Sequence, residues 1–143
     1  MRMIWGKKAF TLIELIFVVV IVGILATLAA PRFFHTVEKS RIAEATQILE
    51  TLRNAQEVYK LEHDGAYAAA LTDLDVDVTT SPSRNFGLPE VFDSPEPLAS
   101  IERDAGGYQY TLSIDTDGTV RCGGTVSPTG ICARLGCPSG VCN

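Results

Sequence analysis

The chain has 143 residues, 46% of them hydrophobic, and a formal net charge of -5 at pH 7. That length makes about one domain, so an enzyme of this size would need its whole site inside a modest core. From Gly65 onward ten acids face only four bases, Arg84, Arg103, Arg121 and Arg134, which argues against nucleic acid as the main partner.

The first element is an apolar run. Arg2, Lys7 and Lys8 precede it, and of the 23 residues between Lys8 and Arg32 only Glu14 is charged. A helix crossing a bilayer core needs about 20 such residues, so the segment reads as membrane-inserting. The basic residues ahead of it keep the N-terminus cytoplasmic and send everything after Arg32 outward. A secretory signal peptide shares the basic start and small residues such as "ATLAA", but Pro31 directly follows Ala30, and the run exceeds the roughly 7 to 15 apolar residues of such signals. Glu14 is the anomaly, because a carboxylate in hydrocarbon costs about 2.5 to 3.5 kcal/mol at a helix centre and less near an end. Cleavage before Phe10 would create a cationic α-amine at the head of the apolar helix. Within one helix that amine lies about four rises of 1.5 Å from Glu14, a poor geometry for pairing. A neighbouring copy shifted along the axis presents its amine directly. At about 4 Å the pair is worth on the order of 4 kcal/mol at an effective dielectric of 20, before desolvation is subtracted. The plainer alternative is a glutamate that snorkels to the headgroups.

Residues 32–64 read as a continuing amphipathic helix. Ala45, Ile48, Leu52, Ala55 and Tyr59 alternate steps of three and four, and Ile42, Leu49 and Val58 widen the stripe. Glu38, Lys39, Arg41, Glu44, Glu50, Arg53, Glu57 and Lys60 are expected on the polar remainder, several as opposite charges three apart. The stripe covers barely three heptads and stops at "HDGAY", so packing on a following sheet is expected rather than an isolated coiled coil, with Gly65 as the terminator.

Beyond Gly65 helical periodicity fades. "DLDVDV" places Asp73, Asp75 and Asp77 at alternate positions, but Val78 stands where a calcium-binding EF loop needs glycine and Arg84 where it needs glutamate, so a short solvated extended segment is expected. "SPSRNFGLPEVFDSPEPL" reads as a proline-rich loop, and "GGYQYTLSIDTDGTVRCGG" as a hairpin turning at Asp115, Thr116, Asp117 and Gly118. "DTDG" lacks the downstream acids of a calcium loop and reads as a turn. Cys122, Cys132, Cys137 and Cys142 crowd the last 22 residues. Outside the membrane an even number in a loop-rich tail implies two disulfides, with three pairings open. Zinc is the competing reading, but close Cys-x-x-Cys pairs are missing. His35 and His63 belong to no triad-like pattern and are expected at the surface; no catalytic residue, metal site or cofactor is expected.

One set of residues carries a resemblance. "FTLIEL", the unbroken apolar run, Gly23, "GILA" and Pro31 resemble the N-terminal signature of type IV pilins and of the pseudopilins of type II secretion, densely over residues 7–34. "AQEVYKLEHDGAYAAALTDL" is similar to the helix end and first loop of many pilins. The resemblance implies that a prepilin peptidase cuts between Ala9 and Phe10, methylates the new amine and leaves Glu14 fifth, where it serves assembly. The family usually has glycine before the cut; here Ala9 stands there and Gly6 lies three residues earlier. Cutting after Gly6 would put Lys7 and Lys8 ahead of the apolar helix, whereas the Phe10 start keeps Glu14, Gly23 and Pro31 in register. The resemblance also implies that the interval from Gly23 to Pro31 interrupts the helix in a filament.

The expected architecture is α+β: a long N-terminal helix, half anchor and half core element, packed on a small antiparallel sheet with a disulfide-bonded tail. Its parts are a leader, 1–9, a transmembrane and assembly helix, 10–31, an amphipathic helix, 32–64, and a globular head, 65–143. The expected function is that of a pilus subunit, held in the inner membrane with a periplasmic head and then polymerised into an extracellular helical filament. By resemblance its partners are further copies of itself, the prepilin peptidase, a platform protein and an assembly ATPase. A secretion pseudopilin is the nearer alternative, against which stands the missing "DPWG"-like stretch and calcium site. A monomeric membrane-anchored binding module or enzyme is the more distant one.

Overall fold

A computed structural model of the chain describes residues 10–76 and 85–142, with backbone alone at 29–32. The expected leader, 1–9, including Gly6 and Ala9, and the positions Asp77, Val78 and Arg84 lie outside the described residues. The element order is α1 (Leu12–Glu62), a 3₁₀ turn (Leu71–Asp73), β1 (Glu90–Val91), β2 (Ala99–Ala105), β3 (Tyr108–Ile114), β4 (Val120–Ser127), α2 (Ile131–Leu135) and β5 (Val141–Cys142). Two compact units divide the chain, one up to Thr36 and one from Val37 to Asn143.

In the first unit α1 begins after Thr11, whose hydroxyl accepts the Glu14 backbone N–H at 3.3 Å. Threonine with glutamate three residues later is the spacing that closes a helix N-terminus. The helix assignment then runs without a break through positions 23 and 31 to Glu62. Among the described residues no single helix is long and apolar enough to cross a membrane; Leu12–Leu28 and Phe33–Glu62 meet that requirement, by length and composition, only when taken together.

The second unit is a head built around the rest of α1. The helix ends where expected: Asp64 and Gly65 take positive φ of 54° and 90°, and the Gly65 N–H reaches back to the Lys60 carbonyl at 2.9 Å. Gly65 tolerates that left-handed conformation at no steric cost. Five strands form one sheet in the order β1-β2-β3-β4-β5, every neighbouring pair antiparallel. The expected hairpin is β3–β4, with Ile114 opposite Val120. Its turn closes through Asp115 N–H to the Thr119 carbonyl at 3.1 Å and through the Asp117 carboxylate, which accepts the Thr119 N–H at 2.8 Å. Gly124, at φ 77°, sits where a Cβ would come within 2.6 Å of the Thr111 hydroxyl oxygen, beside the register shift between Gln109 and Thr111.

Alternation along the strands decides which face is covered. Ala99, Ile101 and Arg103 of β2, Tyr110, Leu112 and Ile114 of β3, and Val120 and Cys122 of β4 are buried. They form one core with Ala45, Leu49 and Leu52 of α1. Period-2 strands thus meet a period-3.6 helix, as the α+β reading requires.

Two expectations are corrected here, for the proline-rich loop and for the stripe on α1. Within the expected proline-rich loop, Phe86, Val91 and Leu98 are buried and Glu90–Val91 pairs as β1 with β2, because the prolines leave enough apolar side chains between them to close the core edge. "DLDVDV" begins at the last residue of a 3₁₀ turn, Leu71–Asp73: Leu74 takes extended backbone and is buried, while Asp73 and Asp75 are exposed. The stripe on α1 is rotated from the expected one. Val58 is 55% exposed, whereas Glu38 and Gln56, one read as polar surface and the other not singled out, are fully buried.

Candidate assembly site

Along α1 from Leu12 to Leu28 every large apolar side chain is exposed, on all sides of the helix. A helix that is hydrophobic all round needs an apolar surrounding, either lipid or other helices, and an exposed surface of this kind marks an interaction site. Phe10 and Thr11 precede the helix in non-helical conformation, so the amine that cleavage would free lies outside the first turn. The Glu14 side chain is exposed and has no hydrogen-bond or ion-pair partner among the described residues. Among the described residues a single copy therefore presents an apolar rod with one unpaired carboxylate near its start.

The head holds its own half of α1 through polar contacts buried in the core. Glu38 is 1% exposed. Its Oε1 accepts hydrogen bonds from Arg103 Nε and from the Tyr110 hydroxyl, each at 2.8 Å, while Oε2 accepts from Arg41 Nη1 at 2.8 Å. Arg103, equally buried, also donates from Nη1 to the Asn85 carbonyl at 2.6 Å and lies 5.9 Å from the Phe86 ring centre. Burial pushes the Glu38 carboxyl upward, but the hydrogen bonds from Arg103, Tyr110 and Arg41, with the Arg103 charge, more than offset this and hold it below its ordinary value. Burial and the Glu38 charge in turn push the Tyr110 phenol well above its ordinary range. With Arg103 Nη2 also donating to Oε2 at 3.4 Å, four donors on one carboxylate satisfy the condition under which a buried charge is tolerated.

Gln56 does the equivalent for the chain leaving the helix. Its amide oxygen accepts the Ala68 N–H at 2.8 Å and its amide nitrogen donates to the Ala68 carbonyl at 2.9 Å, fixing the returning loop on the helix. Glu38, Ala45, Leu49, Leu52 and Gln56 follow one another at intervals of seven, four, three and four, so all lie on one helical face. That spacing is the signal that marks Glu38 and Gln56 as inward-facing despite their polarity.

The four cysteines are paired as Cys122–Cys132 and Cys137–Cys142. The first ties β4 to α2. The second closes the last turn onto β5, whose Val141 and Cys142 pair with Arg121 and Val120. His35 and His63 do not meet any catalytic partner among the described residues; His63 stacks on Tyr59 at 3.8 Å between ring centres.

The profile of the prokaryotic N-terminal methylation motif matches residues 6–30. The chain is 36% identical over 116 residues to the type II secretion system core protein G of Escherichia coli (strain K12), covering 80% of this chain and 70% of that protein. It is 30% identical over 138 residues to a fimbrial protein of Pseudomonas aeruginosa, covering 87% of this chain and 90% of that protein. The chain belongs to the type IV pilin and type II secretion pseudopilin family. A shorter match, 40% identical over 57 residues, joins this pilin-family chain to the type IV major pilin protein PilE1 of Neisseria gonorrhoeae, covering 40% of this chain and 34% of that protein. No solved structure matches it significantly. The methylation motif falls on residues 6–30, at the apolar half of α1, while the longer matches, covering 80% and 87% of this pilin-family chain, reach into the head.

Proposed function

We propose that the chain is a structural pilin: cut between Ala9 and Phe10 by a prepilin peptidase, held in the inner membrane with its head in the periplasm, and polymerised into a helical filament at the cell surface. The observation that carries this reading is the rod of exposed apolar side chains with the lone carboxylate of Glu14, on a chain of this family. In the membrane lipid covers the rod; in the filament neighbouring rods cover it, and the Phe10 amine of one copy pairs with Glu14 of another. One contact repeated head to tail generates an open helix rather than a closed ring. The Gly23 to Pro31 interval gives way on packing, since glycine costs about 1 kcal/mol relative to alanine in a helix and proline cannot donate to the ladder. A peptidase, a platform protein and an assembly ATPase act on the chain from the membrane and cytoplasm. The chain's role is structural rather than enzymatic.

A pseudopilin role is the second reading, favoured by the 36% identity to core protein G. Mass spectrometry of the mature protein tests the shared part of both readings: an N-terminal methylated Phe10 is expected, and a start at Lys7 or Ala30 contradicts the register. Electron microscopy of cell-surface filaments then separates the two. Filaments whose bulk protein is this chain support the pilus; loss of protein secretion on deletion, without surface filaments, supports the pseudopilus.

A further inference from the structure

On the head, the last turns of α1 and the segment after the 3₁₀ turn enclose a groove of about 420 Å³. Its lining includes the apolar side chains of Ala55, Val58 and Val76 and the carboxylates of Glu62, Asp73 and Asp75, with His63 beside them. All three carboxylates are exposed, and none forms an ion pair among the described residues. Three carboxylates beside apolar side chains favour a cation carried on an apolar stem, the description of an arginine side chain.

The same head carries such a group on α2. Arg41, Arg53, Lys60, Arg103 and Arg121 each pair with a carboxylate of their own chain. Arg134 is exposed and pairs with none, its only company among described lysines and arginines in this respect being Lys39. Of these two, Arg134 stands on an element already immobilised. The Cys122–Cys132 disulfide bonds α2 to β4, and Ile131 and Leu135 anchor it in the core. A pre-organised arginine loses less freedom on docking, and arginine is among the residues that dominate interface energetics.

We propose that in the filament the acid-lined groove of one subunit receives Arg134 of a neighbouring copy, its stem on Ala55 and Val58 and its guanidinium among Glu62, Asp73 and Asp75. This rests on the polymerisation reading above and adds a head-to-head contact to it. Groove and arginine are different patches, so the contact is heterologous and propagates without closing. The charges set the register of neighbouring heads, while the apolar rods supply most of the buried area.

The test uses the full chain in cells that assemble it, with sheared filament yield as readout and membrane levels of the subunit as the control for folding. Arg134→Glu and the pair Asp73→Arg with Asp75→Arg should each lower filament yield at least tenfold with subunit levels maintained. Combining all three substitutions should restore most of the yield. Wild-type yields from the single-sided variants would overturn this contact while leaving polymerisation standing, whereas no filaments from the unaltered chain would remove the polymerisation reading itself. A second measurement avoids disruptive variants: filaments carrying Arg134→Lys are treated with a zero-length carbodiimide cross-linker and mapped by peptide mass spectrometry. Position 134 joined to a peptide containing Asp73 or Asp75 of another copy supports the contact. Its joining to a different carboxylate, or to a different protein, overturns it.

Discussion

Replacing Glu38 by alanine would leave the Arg103 guanidinium buried with one carbonyl for company, and the Tyr110 hydroxyl without its acceptor. Breaking a buried pair by removing one partner costs about 3 to 5 kcal/mol, so Glu38→Ala should lower the melting temperature of the detergent-solubilised full chain more than any exposed acid-to-alanine change. Glu38→Gln keeps an acceptor and should lose less. The pH dependence follows in sign. The folded Glu38 pKa lies below its ordinary 4.5, so its contribution is complete above that value and is lost as pH falls through the folded pKa. The folded Tyr110 pKa lies above its ordinary 10.0, so its contribution is complete below 10 and is lost as pH rises. Thermal melts should therefore weaken in acid for the wild type and show a shallower acid limb for Glu38→Gln; parallel acid limbs would mean that Glu38 carries none of the linkage. In the sequence Glu38 looks like its neighbours Lys39 and Arg41, because composition alone cannot tell a solvated charge from a paired one. Its heptad-like spacing to Ala45 and Leu52 was visible, but its partners Arg103 and Tyr110 lie more than sixty residues away, and no local pattern announces them.

At the scale of elements, what could be read locally is what local physics fixes. The α1 stripe, the Gly65 stop and the β3–β4 hairpin each carry their signal within a few residues. Strand β2 was missed because "ASIERDA" mixes charge with apolar residues, and Arg103 occupies an inward position that only the distant Glu38 makes tolerable. The disulfide pattern required the fold: β4, α2 and β5 must be in place before Cys122 is seen beside Cys132 and Cys137 beside Cys142. The tail has little core of its own beyond Ile131, Leu135 and Cys137, so the bridges matter. Closing loops with sequence separations of 10 and 5 stabilises by about 3 and about 2 kcal/mol in the chain-entropy account. Cys122→Ala with Cys132→Ala should accordingly cost more stability than Cys137→Ala with Cys142→Ala. Non-reducing peptide mapping should recover both pairings, and chelator-releasable stoichiometric zinc would contradict them.

For the molecule as a whole, a stable head and an unsatisfied rod divide the labour. The head has its core, its buried ion pair and its bridges within one chain, whereas the large apolar side chains of α1 from Leu12 to Leu28 are exposed and belong to no core among the described residues. That division was legible from the sequence, since an all-round apolar helix after basic residues is a strong signal and Glu14 is its sole charged exception. The central claim, that Glu14 exists to pair with the Phe10 amine of a neighbouring subunit, makes insertion and assembly separable. Glu14→Ala removes a charge from the apolar segment, so membrane insertion and cleavage should persist. Assembly should fail, because an unpaired amine in a low-dielectric filament core costs about 3 to 5 kcal/mol at every subunit. Glu14→Gln should rescue only in part, as an amide can accept a hydrogen bond without balancing the charge. The deciding measurement is a blot of membrane fractions and sheared filaments from wild type, Glu14→Ala and Glu14→Gln side by side. Mature subunit in the membrane without filaments is the outcome expected for Glu14→Ala, and a normal filament yield from that variant would contradict the account.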